Sequence, residues 1–169
     1  MKLSLTHCSK NKRDGILPPD KLYNSPRIDR FTSYCKKNSL NWAILSAKYG
    51  LFFPEERRER YDVTFKSKSG YWLGVQIIVK EAGLPKSQSD AALKELAETV
   101  RVQINKHSVQ EITYYYEENR GPMRPPKGYL ALLHFVIDNC QETHSWPELL
   151  GCISKFGKVH VATRLDFGL

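Results

Sequence analysis

Nothing in this 169-residue chain approaches the roughly 20 consecutive apolar residues that a membrane-spanning helix needs. An apolar leader is missing too, because polar and charged residues run from Ser9 through Asp14. An acylated Cys8 is set aside, since bulky His7 precedes it and no apolar segment leads in. Cysteine is scarce: four residues, at 8, 35, 140 and 152, with no Cys-x-x-Cys pair and no Cys/His cluster at zinc-ligand spacing. A soluble protein of the reducing cytoplasm, off the membrane and with no metal site, is therefore expected. Neither Gly-x-x-x-x-Gly-Lys-Ser/Thr nor Gly-x-Gly-x-x-Gly occurs, which disfavours nucleotide hydrolysis by P-loop machinery. Internal repeats and low-complexity tracts are absent as well.

Acidic residues are outnumbered, 18 Asp/Glu against 26 Lys/Arg, for a net charge of +8. The imbalance is local. Residues 1–60 hold 13 Lys/Arg and 6 Asp/Glu, whereas the remaining 109 residues hold 13 and 12. A positive field over one third of a chain concentrates anionic partners, phosphates first among them. The plainer reading is a solvated basic face that aids solubility.

What is present suits one compact α/β domain over residues 1–169, with 41% hydrophobic and 11% aromatic residues. Residues 2–7 alternate as a strand. Ser25-Pro26 opens a helix in which Ile28, Phe31, Tyr34 and Cys35 form one stripe and which ends near Asn38. Residues 41–46 make a continuous apolar run of the kind found in central parallel strands. The charged stretch 54–68 reads as a long loop or lid, and residues 70–82 read as a helix stopped by Gly83. Ser87-Gln88-Ser89-Asp90 then caps a helix carrying Leu93, Leu96, Ala97, Val100 and Ile104. Strands follow at 111–116 and 159–163, with helices at 127–140 and 145–157 between them. Tyr114, Tyr115 and Tyr116 are read as core, because Glu117 and Glu118 flank them where a base-stacking platform would carry cations. Strands separated by helices predict a three-layer sandwich with a mainly parallel four-stranded sheet.

Ligands of open parallel sheets bind at the carboxyl ends of strands. Two such ends carry small polar and cationic groups, Thr6-His7-Cys8-Ser9-Lys10-Asn11-Lys12 and Ser46-Ala47-Lys48-Tyr49-Gly50-Leu51, and Tyr61-Asp62-Val63-Thr64 follows. Cys8, close in sequence to Lys10 and Lys12, is either a nucleophile with a stabilised thiolate, a packing residue, or a polar ligand contact. His7 suits it poorly as a base, because adjacent strand residues point to opposite faces; His160 is the other strand histidine. Ser9, Ser46 and their backbone N–H groups form a candidate anion nest, with Lys10, Lys12 and Lys48 adding charge. Gly50 relieves backbone crowding or simply turns the chain. Asp62, with Tyr61 and Thr64, is a candidate base or hydroxyl ligand, or else a local cap. Arg120 and Arg124 flank the third strand's end and can close over an anion or stay in solvent.

These segments resemble a broad group of small proteins catalogued as a domain of unknown function. That group has a first strand ending Cys-Ser/Gly-x-x-Lys, a second ending Ser-Ala-Lys-His/Tyr-Gly-Leu, and a later Tyr-Asp-x-Thr, here Cys8–Lys12, Ser46–Leu51 and Tyr61–Thr64. The first strand end is also similar to an accessory domain of archaeosine-type tRNA-modifying enzymes. That resemblance implies a Rossmann-like or uracil-DNA-glycosylase-like fold and a nucleobase or nucleic-acid context. The expectation is an enzyme that binds or modifies a nucleoside, nucleotide or base, with Asp62 and Cys8 as catalytic candidates and no particular cofactor implied. Its alternatives are a non-catalytic nucleic-acid-binding module and a protein-interaction or structural subunit.

Overall fold

The computed structural model describes residues 1–61, 63–68, 71–79, 86–115, 129, 132, 133 and 159–162; for 63–68, 71–79, 86–94 and 159–162 the description is of the backbone. Strand β1 (Lys2–His7) is followed by the short helix α1 (Pro19–Leu22), helix α2 (Pro26–Lys37) and strand β2 (Trp42–Ser46). Then come β3 (Gly50–Phe52), β4 (Val63–Lys68), β5 (Tyr71–Val79), α3 (Lys86–Lys106), β6 (Glu111–Tyr115) and β7 (Val159–Ala162).

Among the described residues five strands form one mixed sheet in the order β3-β2-β1-β6-β7. β1 pairs in parallel with β2 and with β6, and β6 with β7, whereas β3 folds back antiparallel on β2. β4 and β5 form a separate antiparallel ribbon. The expected mainly parallel four-stranded sheet is thus corrected to a mixed sheet with an added edge strand, and the architecture is mixed α/β. Two further corrections fall between residues 54 and 82. The last six residues of the expected lid are strand β4, and residues 71–79 of the expected helix over 70–82 are strand β5. The run Tyr-Trp-Leu-Gly-Val-Gln-Ile-Ile-Val is rich in aromatic and β-branched side chains, and Gly74 weakens a helix there by about 1 kcal/mol. Its apolar residues satisfy either period, and pairing with β4 decides for the strand. The expected helix over 145–157 lies outside the described residues. Within the one over 127–140, Tyr129, Leu132 and Leu133 are helical and buried.

The core follows from the strand pattern. All five residues of β2 are buried, as a central strand covered on both faces requires. Phe31 of α2 packs edge-on against Trp42 and stacks on Tyr115, which seats α2 over one sheet face. His7, pointing the other way, meets Tyr129 instead. Each fully buried Leu, Ile or Phe contributes about 1.5–3 kcal/mol relative to an exposed one, which is why α2 holds its place without a side-chain N-cap bond from Ser25.

Candidate functional site

Register brings the first two strand ends side by side. His7 lies opposite Leu45, and the Cys8 amide donates to the Leu45 carbonyl at 2.9 Å, extending the ladder one residue past β1. On β1's other flank Thr6 lies opposite Tyr115, and its hydroxyl donates to the Tyr115 carbonyl at 2.8 Å. The chain passes from β1 to β2 on one side and returns to β6 on the other, so the strand order reverses about β1. In open α/β sheets that reversal is where strand ends leave a crevice.

Ser46 organises the β2 end. Its fully buried hydroxyl accepts from the Lys48 and Tyr49 amides at 3.1 and 3.0 Å and donates to Tyr61 Oη at 2.8 Å. A hydroxyl has one proton and two lone pairs, so Ser46 Oγ is saturated. The expected anion nest in this turn is therefore corrected: both N–H groups are taken by the protein's own serine, and Ser46 positions its neighbours. Ser9 Oγ likewise accepts locally, from the Asn11 amide at 3.3 Å. Gly50 has φ +70°, and a Cβ there would collide with Gln103 Oε1 and sit 3.0 Å from Val100 Cγ2, so glycine is required by packing against α3.

Cys8 is 7% exposed and ringed by phenols. Its Sγ lies 2.9 Å from Tyr129 Oη, and Tyr61 Oη, 2.8 Å from Tyr23 Oη, also reaches the sulfur. Burial, reinforced by Cys8, pushes the phenols of Tyr23, Tyr61 and Tyr129 well above their ordinary value of 10. They remain protonated, with Tyr129 in hydrogen-bond contact with the sulfur and Tyr23 bonded to Tyr61. His7 does not pair with Cys8; its Nδ1 lies 2.8 Å from Tyr114 Oη.

The cations converge above this floor. Lys12 Nζ lies 4.1 Å from the centroid of the Tyr61 ring and 5.8 Å from that of Tyr23. Lys48 Nζ lies 6.0 Å from Tyr61 and 5.5 Å from Tyr49, whose ring also carries the Arg58 guanidinium at 5.3 Å. An isolated bridge between Lys12 and Tyr23 holds the Lys12 backbone, and Lys10 is exposed beside it. At the opposite flank Arg27 of α2 donates to Thr6 Oγ1, to the His7 carbonyl at 2.7 Å and to the Cys8 carbonyl at 3.4 Å.

With this geometry in place, one comparison decides what the segment resembles. Residues 3–71 match the model of a family of unknown function, DUF6884. The matched segment contains Cys8 to Lys12, Ser46 to Leu51 and Tyr61, and thus most of the described site. No curated protein matches the chain, and no solved structure does.

Cys8, Lys12, Ser46, Lys48 and Tyr61 are therefore brought together, with Ser9 and Lys10 adjacent in the chain. Asp62, Arg120 and Arg124 lie outside the described residues, and Thr64 is placed by its backbone alone, in β4. Tyr23, Arg27, Tyr129 and Gln103 escaped the sequence reading, because each joins the site only through folding. The bridge of Lys12 to Tyr23 had no sequence mark, although Arg27 in the first turn after Pro26 was a visible cation next to β1. Among the described residues no three His, Cys, Asp or Glu side chains are grouped to hold a metal ion, and no helix is long and apolar enough to cross a membrane.

Proposed function

We propose that this chain is an enzyme that binds a nucleoside, nucleotide or nucleic-acid base at the carboxyl ends of its parallel strands. Lys12 and Lys48, joined by exposed Lys10, take the ligand's anionic part. The observation that carries this reading is the convergence of two ammonium groups from separate loops on the single ring of Tyr61. Two ammonium groups brought to one ring give a local positive field that favours an anionic ligand. Arg58 Nε supports the same reading: it is buried without a hydrogen-bond partner among the described residues, in the group that surrounds Tyr49. An unmatched buried donor costs about 1–3 kcal/mol, which an acceptor reaching it would recover.

The four parallel strands run β2-β1-β6-β7, an order also found in doubly wound nucleotide-binding sheets, which supports a Rossmann-like reading with a binding crevice at β1. The resemblance to the uracil-DNA-glycosylase-like accessory domain adds the nucleobase context. In this reading Cys8, with the Tyr129 phenol against its sulfur, and Asp62 are the reacting groups, and Thr64 and Arg120 extend the binding surface. The free thiols of Cys8 and Cys35 fit a cytoplasmic setting. The test is calorimetric titration with ADP and AMP at low salt. Lys48→Ala is expected to weaken binding about tenfold, equivalent to about 1.4 kcal/mol; unchanged affinity in Lys48→Ala and Lys12→Ala, or no binding to the parent protein, overturns the reading.

The charge excess in residues 1–60 favours one second reading, a nucleic-acid-binding module. It demands an affinity for single-stranded RNA that falls steeply with salt, and a flat response removes it.

A further inference from the structure

His7 is the last residue of β1, at the point where the strand order reverses, and the anion-binding lysines leave it without a role. Its ring is held on two sides, stacked on Tyr114 with centroids 6.0 Å apart and tilted against Tyr129 at 5.1 Å. Its Nδ1 faces Tyr114 Oη at 2.8 Å. A phenol, with an ordinary pKa near 10, is a far better donor than a neutral imidazole N–H, and an imidazole nitrogen is a better acceptor than a phenol oxygen. Tyr114 therefore donates to Nδ1, which leaves the ring proton on Nε2.

Resting on the reading above, we propose that the site is divided, with Lys12 and Lys48 holding the anionic part of a nucleotide and His7 donating from Nε2 to an oxygen or nitrogen acceptor of its uncharged part, the sugar or the base. Three features support the assignment. His7 and Cys8 are consecutive and both meet Tyr129, so the imidazole belongs to the same strand end as the cations. His7 as a residue is of intermediate exposure, whereas Tyr114 behind it is fully buried. Burial first, and then the positive charge of Arg27, hold the imidazole well below its ordinary value of 6.5, so it stays neutral and selects an acceptor without drawing in a second phosphate. A neutral donor of fixed tautomer is suited to reading a carbonyl or ring nitrogen, because an analogue lacking that acceptor leaves the N–H unpaired.

The experiment uses the full chain, ADP as the probe and inorganic pyrophosphate as the control without sugar or base. Nitrogen NMR of His7 is expected to show a neutral ring with the proton on Nε2, and ADP is expected to shift Nε2 while pyrophosphate does not. His7→Phe, which keeps a stacking ring and removes the donor, is expected to weaken ADP about tenfold and to leave pyrophosphate within twofold. His7→Gln, which restores a side-chain donor, should regain part of the ADP affinity, separating a binding role from loss of folding. An Nε2 resonance indifferent to ADP, a proton found on Nδ1, or equal losses for ADP and pyrophosphate in His7→Phe overturns the division of the site while leaving the lysine site standing. If the parent protein binds neither ADP nor pyrophosphate, the underlying reading falls with it.

Discussion

Replacing Gly50 with alanine tests how the edge of the sheet is built. Two costs add at this position. Its φ of +70° is strained for any residue with a Cβ, by about 1–2 kcal/mol. The new methyl also displaces the Gln103 amide, which accepts from the Leu51 amide at 2.7 Å and donates to the Leu51 and Tyr49 carbonyls at 2.9 and 3.1 Å. Three such bonds at a partly buried edge are worth about 2–3 kcal/mol together. Gly50→Ala alone is therefore expected to destabilise by about 3–5 kcal/mol, and Gln103→Ala alone by about 2–3 kcal/mol. In the double variant the three bonds can be lost only once, so the total should fall short of the sum of the single effects by about 2 kcal/mol. Equilibrium urea unfolding of the four proteins, monitored by tryptophan fluorescence, measures this directly. Additivity within about 0.5 kcal/mol would refute the claim that the glycine exists to admit Gln103, leaving backbone strain alone.

Ser46→Ala removes the acceptor of two amides and the donor to Tyr61, and is expected to cost about 2–4 kcal/mol by urea unfolding; a cost below 1 kcal/mol would show that the bonds are not made. His7 is neutral in the fold and has a lowered pKa, so the unfolded chain binds the extra proton first. Its share of stability should be present above about pH 6.5 and decline as pH falls below that value, a slope that His7→Phe reduces when unfolding is compared at pH 7.5 and 5.5. Burial raises the Cys35 thiol to about 12 from an ordinary 9.0, so native Cys35 should resist iodoacetamide at pH 8 and react once urea unfolds the chain. The same shift makes stability fall as pH climbs from 9 toward 12, because the unfolded thiol ionises first.

Where sequence periodicity was long or the run wholly apolar, the fold could be read in advance. β1, α2, β2, α3 and β6 stand within a residue or two of their expected places, since Ser25-Pro26, the run Trp42–Ser46 and the Leu96–Val100 stripe each admit one conformation. β3 and the β4–β5 ribbon were not legible. Gly50-Leu51-Phe52 is too short to show a period, and Tyr71–Val79 is apolar enough to satisfy either period until a partner strand decides. The meeting of Cys8 and Ser46 was readable, because parallel neighbours carry their carboxyl ends to one edge. The saturation of Ser46 and the phenols around Cys8 were not, because Tyr23, Tyr61 and Tyr129 reach them from distant parts of the chain, which leaves no local pattern.

The guanidinium of Arg27 has a mechanical consequence. It grips three acceptors, on Thr6 and His7 at the end of the central strand and on Cys8 just past it, from the first turn of a twelve-residue helix. The tip of β1 and α2 therefore move as one body, and any force applied to Cys8 is borne by the whole length of that helix.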